Sequence, residues 1–168
     1  MIAVTGTGLR AAMGRFATGV AVVTTVTDGQ AYGMTVNSLT SVSLDPPVLL
    51  VCLAESARST IAVLAAGRFA VSVLSARQED VAVRFAARGT DHFAGLPLVY
   101  GDHAVPVVPE ALAHLECSTC HTRHVGDHVV VFGDVERICW RDGAPLAFHG
   151  GRFGSFTDRG EDPVPWFF

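Results

Sequence analysis

Four short stretches of this chain hold side chains whose types and spacing could do chemistry. The first, CSTCHTRH (117–124), offers a Cys-x-x-Cys pair followed by His121 and His124, a set of zinc-ligand types. Its surroundings alternate as a strand does, with Leu115, Cys117, Thr119 and His121 on one parity. In a strand, residues three apart point to opposite faces, so Cys117 and Cys120 could share an ion only across a bulge or turn. The expectation is therefore no metal and reduced, cytosolic thiols. The second, ARST (57–60), places Arg58, Ser59 and Thr60 at a helix start, where free N–H groups and the helix dipole favour an anion; two hydroxyls there can equally be plain caps. The third, GDH (126–128), is a serviceable hairpin turn followed by a histidine. The fourth is GMTVNSLTSVSLDPPVLLV (33–51), where Asn37, Ser38, Thr40, Ser41 and Ser43 stand just before a Pro-Pro pair and the most apolar run of the chain.

Composition limits what these groups can do. All twelve basic residues are arginine, so Schiff-base chemistry, lysine-anchored pyridoxal phosphate and a P-loop lysine are excluded. A phosphate must be held by arginine, hydroxyls or backbone N–H groups. The net charge of −4 and a pI near 5.9 argue against a grip on nucleic acid backbones. No apolar run approaches the roughly 20 residues that a membrane span needs, and the start lacks the basic-then-apolar order of a secretory signal, so a cytoplasmic protein is expected. Hydrophobic residues reach 49% against 17% charged, more apolar than a typical soluble monomer, and a buried oligomer face would absorb the excess. A chain of 168 residues fits one domain.

The elements that must position these groups can be read along the chain. GLRAAMGRFATG (8–19) has helical spacing and ends at Gly19. VAVVTTVTDGQAYGMTV carries Asp28-Gly29 between β-branched runs and predicts a hairpin. PPVLLVCLA reads as a strand apolar on both faces, hence central, with both prolines ahead of its paired part. ESARSTIAVLAAGR is a helix with Ser56 and Ser59 as capping residues, closing on Gly67. FAVSVL is a strand, and SARQEDVAVRFAARG a helix with Ser75 and Gln78 at capping-box spacing. Residues 89–110 form a long irregular stretch expected to line or cover something. Two long strands flank VGDH, and the tail from Gly143 reads as loop. Hairpins adjoin too often for regular βαβ winding, so the fold class is mainly β: an antiparallel barrel decorated with helices. GTGLRA (6–11), with Asp28 twenty residues beyond Gly8, mimics a dinucleotide-binding fingerprint, and a small Rossmann protein is the remote alternative; the hairpin at Asp28 argues against it.

In order, RFATGVAVVTT, GMTVNSLTSVSLDPPVLLVCL, ARSTIAVL, FAVSVLSARQEDVAVRFA, HVGDHVVVFGDV and GGRF resemble the NAD(P)H:flavin reductase family with the FMN-binding split-barrel fold, over residues 13–156. The resemblance implies an antiparallel split β-barrel and reduction of FAD or FMN by hydride from NADH or NADPH. It also implies a homodimer that releases reduced flavin to a partner monooxygenase. A flavin needs apolar walls with few convergent polar groups, which suits residues 33–51. By resemblance, Thr35, Val36, Asn37, Ser38, Ser43, Leu44, Cys52 and Leu53 run alongside the flavin. Arg58, Ser59 and Thr60 meet its phosphate, and Arg84 and Phe85 complete the site. His128 is the implied catalytic residue, facing flavin and nicotinamide, and Gly151, Arg152, Phe153 and Phe156 are implied on the nicotinamide side. An aromatic tail simply packed on the barrel explains the last group equally well. Ser72 stands where the family pattern leads one to expect asparagine. A split-barrel protein that keeps its flavin without reducing added flavin is the nearer alternative function.

Overall fold

The computed structural model describes residues 4–160 apart from 90, 98, 103 and 159. In chain order the elements are α1 (Gly6–Met13), β1 (Thr18–Gly19), β2 (Ala21–Thr27), β3 (Gln30–Val36), β4 (Thr40–Leu44), β5 (Pro47–Ala54), α2 (Arg58–Ala66), β6 (Arg68–Val73) and α3 (Glu79–Ala86). There follow β7 (Val99–Tyr100), β8 (Pro106–Val107), β9 (Ala113–Val125), β10 (His128–Trp140), β11 (Leu146–His149) and β12 (Arg152–Ser155). Seven strands make one antiparallel sheet in the order β3-β2-β6-β9-β10-β5-β4. A second sheet, β1-β11-β12, and the β7-β8 pair stand apart from it. This is the expected antiparallel split barrel: β3 and β4 are the two edges of one sheet, and no ladder joins them.

Local chemistry explains the element ends. Asp28 and Gly29 both take positive φ, 51° and 73°, as a two-residue turn between β2 and β3 demands, and the ladder registers from Ala21↔Val36 to Thr27↔Gln30. Gly67 ends α2 in the left-handed conformation, its N–H on the Val63 carbonyl. The inward residues of the strands, among them Val23, Val51, Leu53, Phe69, Val71, Val129 and Val131, fill the barrel interior. Gly133 exists for that packing, because a Cβ there would stand 2.6 Å from the Phe69 ring.

Several sequence expectations are corrected. The first helix stops at Gly14, whose N–H caps onto Arg10, rather than reaching Gly19; Thr18 and Gly19 instead pair with Phe148 and Ala147 of β11. The cap of α2 is Ala57, and neither Ser56 nor Ser59 caps it, because Ser59 Oγ turns away to donate to the Gly33 carbonyl. Strand β5 is next to an edge, with Leu49, Val51 and Leu53 buried but Val48, Leu50 and Cys52 only half-buried, so it is not apolar on two covered faces. Pro47 is its first paired residue, opposite Leu44. The tail is not simple loop: β11 and β12 form a hairpin around Gly150 and Gly151, both at positive φ, and Gly150 N–H donates to Gly14. At α3 the Gln78 side chain accepts the Ser75 N–H, which is half of the expected capping box.

The link between the two sheet edges has its own bonding. Ser38 Oγ donates to the Cys52 carbonyl (2.9 Å) and accepts the Cys52 N–H (3.1 Å). Since β4 begins at Thr40 opposite Leu50, this hydroxyl takes the place of the next rung of the ladder. Ser38→Ala leaves both Cys52 main-chain groups short of a partner, at about 2 kcal/mol, and is expected to lower the Tm of the ligand-free protein by about 4–8 °C. A thermal scan showing no shift would mean that the hydroxyl has no structural role.

Ser72, the departure noted in the sequence, is fully buried and accepts the Val108 N–H (3.0 Å). Its single hydrogen is then free to donate to His114 Nδ1 (3.2 Å), an arrangement that requires neutral imidazole. Burial pulls the His114 pKa down, against a raising effect of Glu116 and with help from Arg141. A group whose folded pKa lies below its unfolded one binds protons more readily when unfolded, so its stabilising contribution fades as pH falls through the unfolded value. Urea midpoints measured at about pH 7.5 and 5.5 should therefore differ less in His114→Gln than in the unmodified chain. An unchanged difference would refute the assignment.

Candidate functional site

Two cavities open where the barrel is split. One, about 660 Å³, follows the free edge of β3 from Gln30 to Thr35, between the start of α2 and the segment after α3. The other, about 650 Å³, lies at the Asn37–Thr40 link and is walled by Met13, Phe16, Val20, Leu39 and Val73. Along this part of the chain the linings are residues 30–35 and 37–40, separated by the core-facing Val36, so β3 carries one cavity and the link after it the other.

The β3 cavity is built for an anion. Arg58 and Arg88 line it from opposite flanks, and neither guanidinium has a hydrogen-bond or ion-pair partner among the described residues. The N–H groups of Arg58 and Ser59, first in α2, have no main-chain acceptor among the described residues. Among the described residues Asp91 is the one carboxylate in the lining, and its Oδ1 already accepts the Phe93 N–H. The site hydroxyls are differently engaged. Ser59 donates to the Gly33 carbonyl (2.8 Å), Thr60 to Ala54 (2.8 Å) and Thr35 to Ala82 (2.7 Å). Their hydrogens are committed to protein carbonyls, which leaves arginine, backbone N–H, the exposed Ser56 hydroxyl and the Gln30 amide as donors in the lining.

His92, left unassigned by the sequence, forms its roof. Its Nδ1 lies 3.1 Å from the Gly33 carbonyl and its Nε2 2.8 Å from that of Ala87, while the ring tilts against Phe85 at 5.4 Å. Arg84 Nη1 donates to the Ala94 carbonyl, and with the His92 contacts this pins the irregular segment to α3 and β3. Gly33 makes the approach possible, because a Cβ on it would sit 2.6 Å from the Phe85 ring. The signal in sequence was slight: a histidine inside a Gly- and Pro-rich stretch, with no periodicity to assign it.

The expected site residues divide as follows. Thr35, Arg58, Ser59 and Phe85 line the β3 cavity, and Asn37 and Ser38 the other. Val36 and Leu53 turn into the core, as does the fully buried Thr60. Cys52 meets Ser38 through its backbone, Ser43 lies in β4 and Leu44 at its exposed end, and Arg84 holds the roof rather than lining the cavity. His128 opens β10 opposite Ala54, a residue of the β3 cavity wall. Its Nδ1 is 2.7 Å from Asp127 Oδ1, and this hydrogen bond holds the exposed Asp127 carboxyl below its usual pKa. The pair fixes which ring nitrogen is engaged and leaves Nε2 for other partners. Gly151, Arg152, Phe153 and Phe156 belong to the β11-β12 hairpin or follow it; Phe153 packs on Phe148, and Arg152 and Phe156 are exposed. They sit in a different sheet from His128.

Cys117 and Cys120 occupy one continuous strand, the first buried and the second exposed, and Cys120 falls at a bulge opposite Phe132 and Gly133. Burial, with nearby carboxylates, pushes the Cys117 thiol up to about 12, so it stays protonated. Among the described residues no group of three or more metal-ligating side chains comes together.

Residues 13–157 match the model of the flavin reductase like domain. The chain is 45% identical over 148 residues to an FMN reductase (NADH), SmoA, of Agrobacterium fabrum, covering 88% of this chain and 84% of that one. It is 39% identical over 168 residues to an NADH-dependent flavin reductase of a Rhodococcus species, covering 98% and 94%. Among solved structures, nitrilotriacetate monooxygenase component B of Mycobacterium thermoresistibile superposes with a TM-score of 0.90 at 35% identity, over 96% of this chain and 92% of that one. The NADH:FAD oxidoreductase of Streptomyces globisporus, solved with NAD and FAD fragments, gives 0.87 at 38%, over 92% and 94%. With a family match across nearly its whole length and relatives of this identity, the chain belongs to the flavin reductase-like family.

Proposed function

We propose that this chain is an NAD(P)H:flavin oxidoreductase that reduces FAD or FMN and releases the product to a partner monooxygenase. The observation that carries the reading is the succession of two unlike cavities along the chain, cationic beside β3 and apolar beside the link that follows it. A flavin has the same division, with a flat apolar ring at one end and a phosphate at the other, so the residues present fit it. When bound, the flavin supplies the hydride acceptor at ring nitrogen N5.

The protein's own contribution is binding and orientation. Arg58 and the α2 N–H groups hold the phosphate, the Asn37–Thr40 link and its apolar walls receive the ring, and the family's nicotinamide side falls to His128 and the hairpin after Phe148. His128, with Nδ1 tied to Asp127, presents Nε2 to the nicotinamide and positions it; hydride transfer needs no protein nucleophile. The same proposal includes a homodimer, supported by exposed Leu44, Ile138 and Trp140 on strands β4 and β10, and a reducing, cytoplasmic setting, supported by four unpaired cysteines. No helix among the described residues is long and apolar enough to cross a membrane.

Steady-state oxidation of NADH and NADPH with added FMN or FAD tests the reading. Many equivalents of added flavin should be reduced per protein chain, whereas a protein that only holds flavin stops near one. His128→Ala is expected to lower kcat or raise the nicotinamide KM by about tenfold, the scale of a lost positioning contact. Unaltered kinetics in that variant would remove His128 from the mechanism.

A further inference from the structure

His92 stands between two acceptors. Its Nδ1 lies 3.1 Å from the Gly33 carbonyl oxygen and its Nε2 2.8 Å from that of Ala87, both within hydrogen-bond reach. A neutral imidazole carries one N–H, so either tautomer satisfies one carbonyl and turns a nitrogen lone pair toward the other. Only the imidazolium donates to both. The two acceptors belong to different elements: Gly33 lies on the free edge of β3, and Ala87 ends α3, its own N–H closing on the Arg84 carbonyl. The ring therefore ties a strand edge to a helix end.

Its surroundings suit a cation. The last carbonyls of a helix form the negative end of its dipole, where a charged histidine is a favourable partner. The Phe85 ring, with its centroid 5.4 Å away, also accommodates positive charge. Among the described residues the charged and titratable side chains around the ring are Arg84 and Arg88 from α3 and its end, Arg58 from α2, Tyr32 from β3 and Asp91 from the same segment. The three arginines oppose a further positive charge and Asp91 favours it. All four are exposed, so water screens them, whereas the two carbonyls touch the ring directly. Ala87 immediately precedes Arg88, so tying down the end of α3 also fixes the backbone that carries this guanidinium beside the cavity.

We propose that His92 is a positioning residue that acts as an imidazolium clamp between β3 and α3, and that anion binding in the β3 cavity is coupled to uptake of one proton from solvent by this ring. The clamped ring needs a second N–H hydrogen that the released ring does not. The clamp therefore tightens as pH falls through the imidazole range and loosens as pH rises. The clamp stands on this geometry alone, and its effect on flavin rests on the reductase reading.

Nitrogen NMR of the histidine side chains in the ligand-free full chain reads the clamp directly, with His92→Gln identifying the signal. At about pH 6 both His92 nitrogens should carry hydrogen. A single neutral tautomer there would overturn the proposal. Dissociation constants for FMN at about pH 6 and pH 8 read the coupling. The rise in the constant between the two should be about tenfold greater in the unmodified chain than in His92→Gln or His92→Arg, the size of one hydrogen bond to a charged group. The ligand's phosphate and the other histidines titrate alike in all three proteins, so the comparison isolates His92. His92→Arg, which keeps a fixed cation with several donors, should also hold FMN more tightly at pH 8 than His92→Gln does. An equal rise in all three proteins would overturn the coupling and with it the proposal. FMN that binds at neither pH would instead strike the reductase reading, and the NMR result would still decide the clamp.

Discussion

Everything at the site follows from a link of three residues. Val36 ends one edge strand of the seven-stranded sheet and Thr40 begins the other, so Asn37, Ser38 and Leu39 must join opposite edges. Four Cα steps reach at most about 14 Å. A flat sheet of seven strands would separate its edges by about 29 Å at roughly 4.8 Å per strand, so the sheet must curl until β3 approaches β5. The curl encloses the core, but no ladder joins β3 to β4, and the barrel stays split there. Main-chain groups that a closed barrel would pair are satisfied by side chains instead: Ser38 serves Cys52, while Ser59 and His92 serve Gly33. The split is thus both the topological defect of the fold and the place where a ligand can reach backbone and side chains from two sides.

That origin explains why hydroxyls gather around the split and why several of them are engaged by the frame. Hydroxyls near a split ladder are needed first by the protein, and those of Ser38, Ser59, Thr60 and Thr35 are used in this way. A chain without lysine then has arginine, helix-start N–H groups and the exposed Ser56 hydroxyl left for an anion beside β3. The division of labour separates two roles that a sequence cannot separate. Replacing such a serine changes the frame of the cavity, whereas replacing Arg58 changes its electrostatics.

The parts of the fold set by local chemistry were legible in the sequence, and those set by the split were not. Asp28-Gly29 announces its turn because both residues must take positive φ, and the long strands around Gly126-Asp127 announce themselves by length and β-branching. The caps of α2 were misread because Ser56 and Ser59 have the right chemistry for capping, and only the proximity of Gly33 to α2 diverts Ser59. The β11-β12 hairpin was hidden by its Gly-Gly turn and short strands, whose partner β1 lies more than a hundred residues away in the chain. His92 was illegible for the same reason: its partners at Gly33 and Ala87 converge only after the sheet has curled.

The same geometry bears on how a diffusing flavin can be both gripped and let go. In the proposed reading the phosphate end meets groups set on an α-helix, an edge strand and a pinned segment, so its contacts would cost little backbone ordering when the ligand arrives. At the ring end the apolar wall is completed by Met13 and Phe16, both largely exposed, on or just beyond a terminal helix that contributes no residue to the core. A wall of that kind has few buried contacts of its own and so belongs to the low-stability part of the structure. On that reading, rigid recognition of the phosphate arm beside a loosely supported ring slot would give specificity without long residence, which suits a supplier of reduced flavin to a separate monooxygenase.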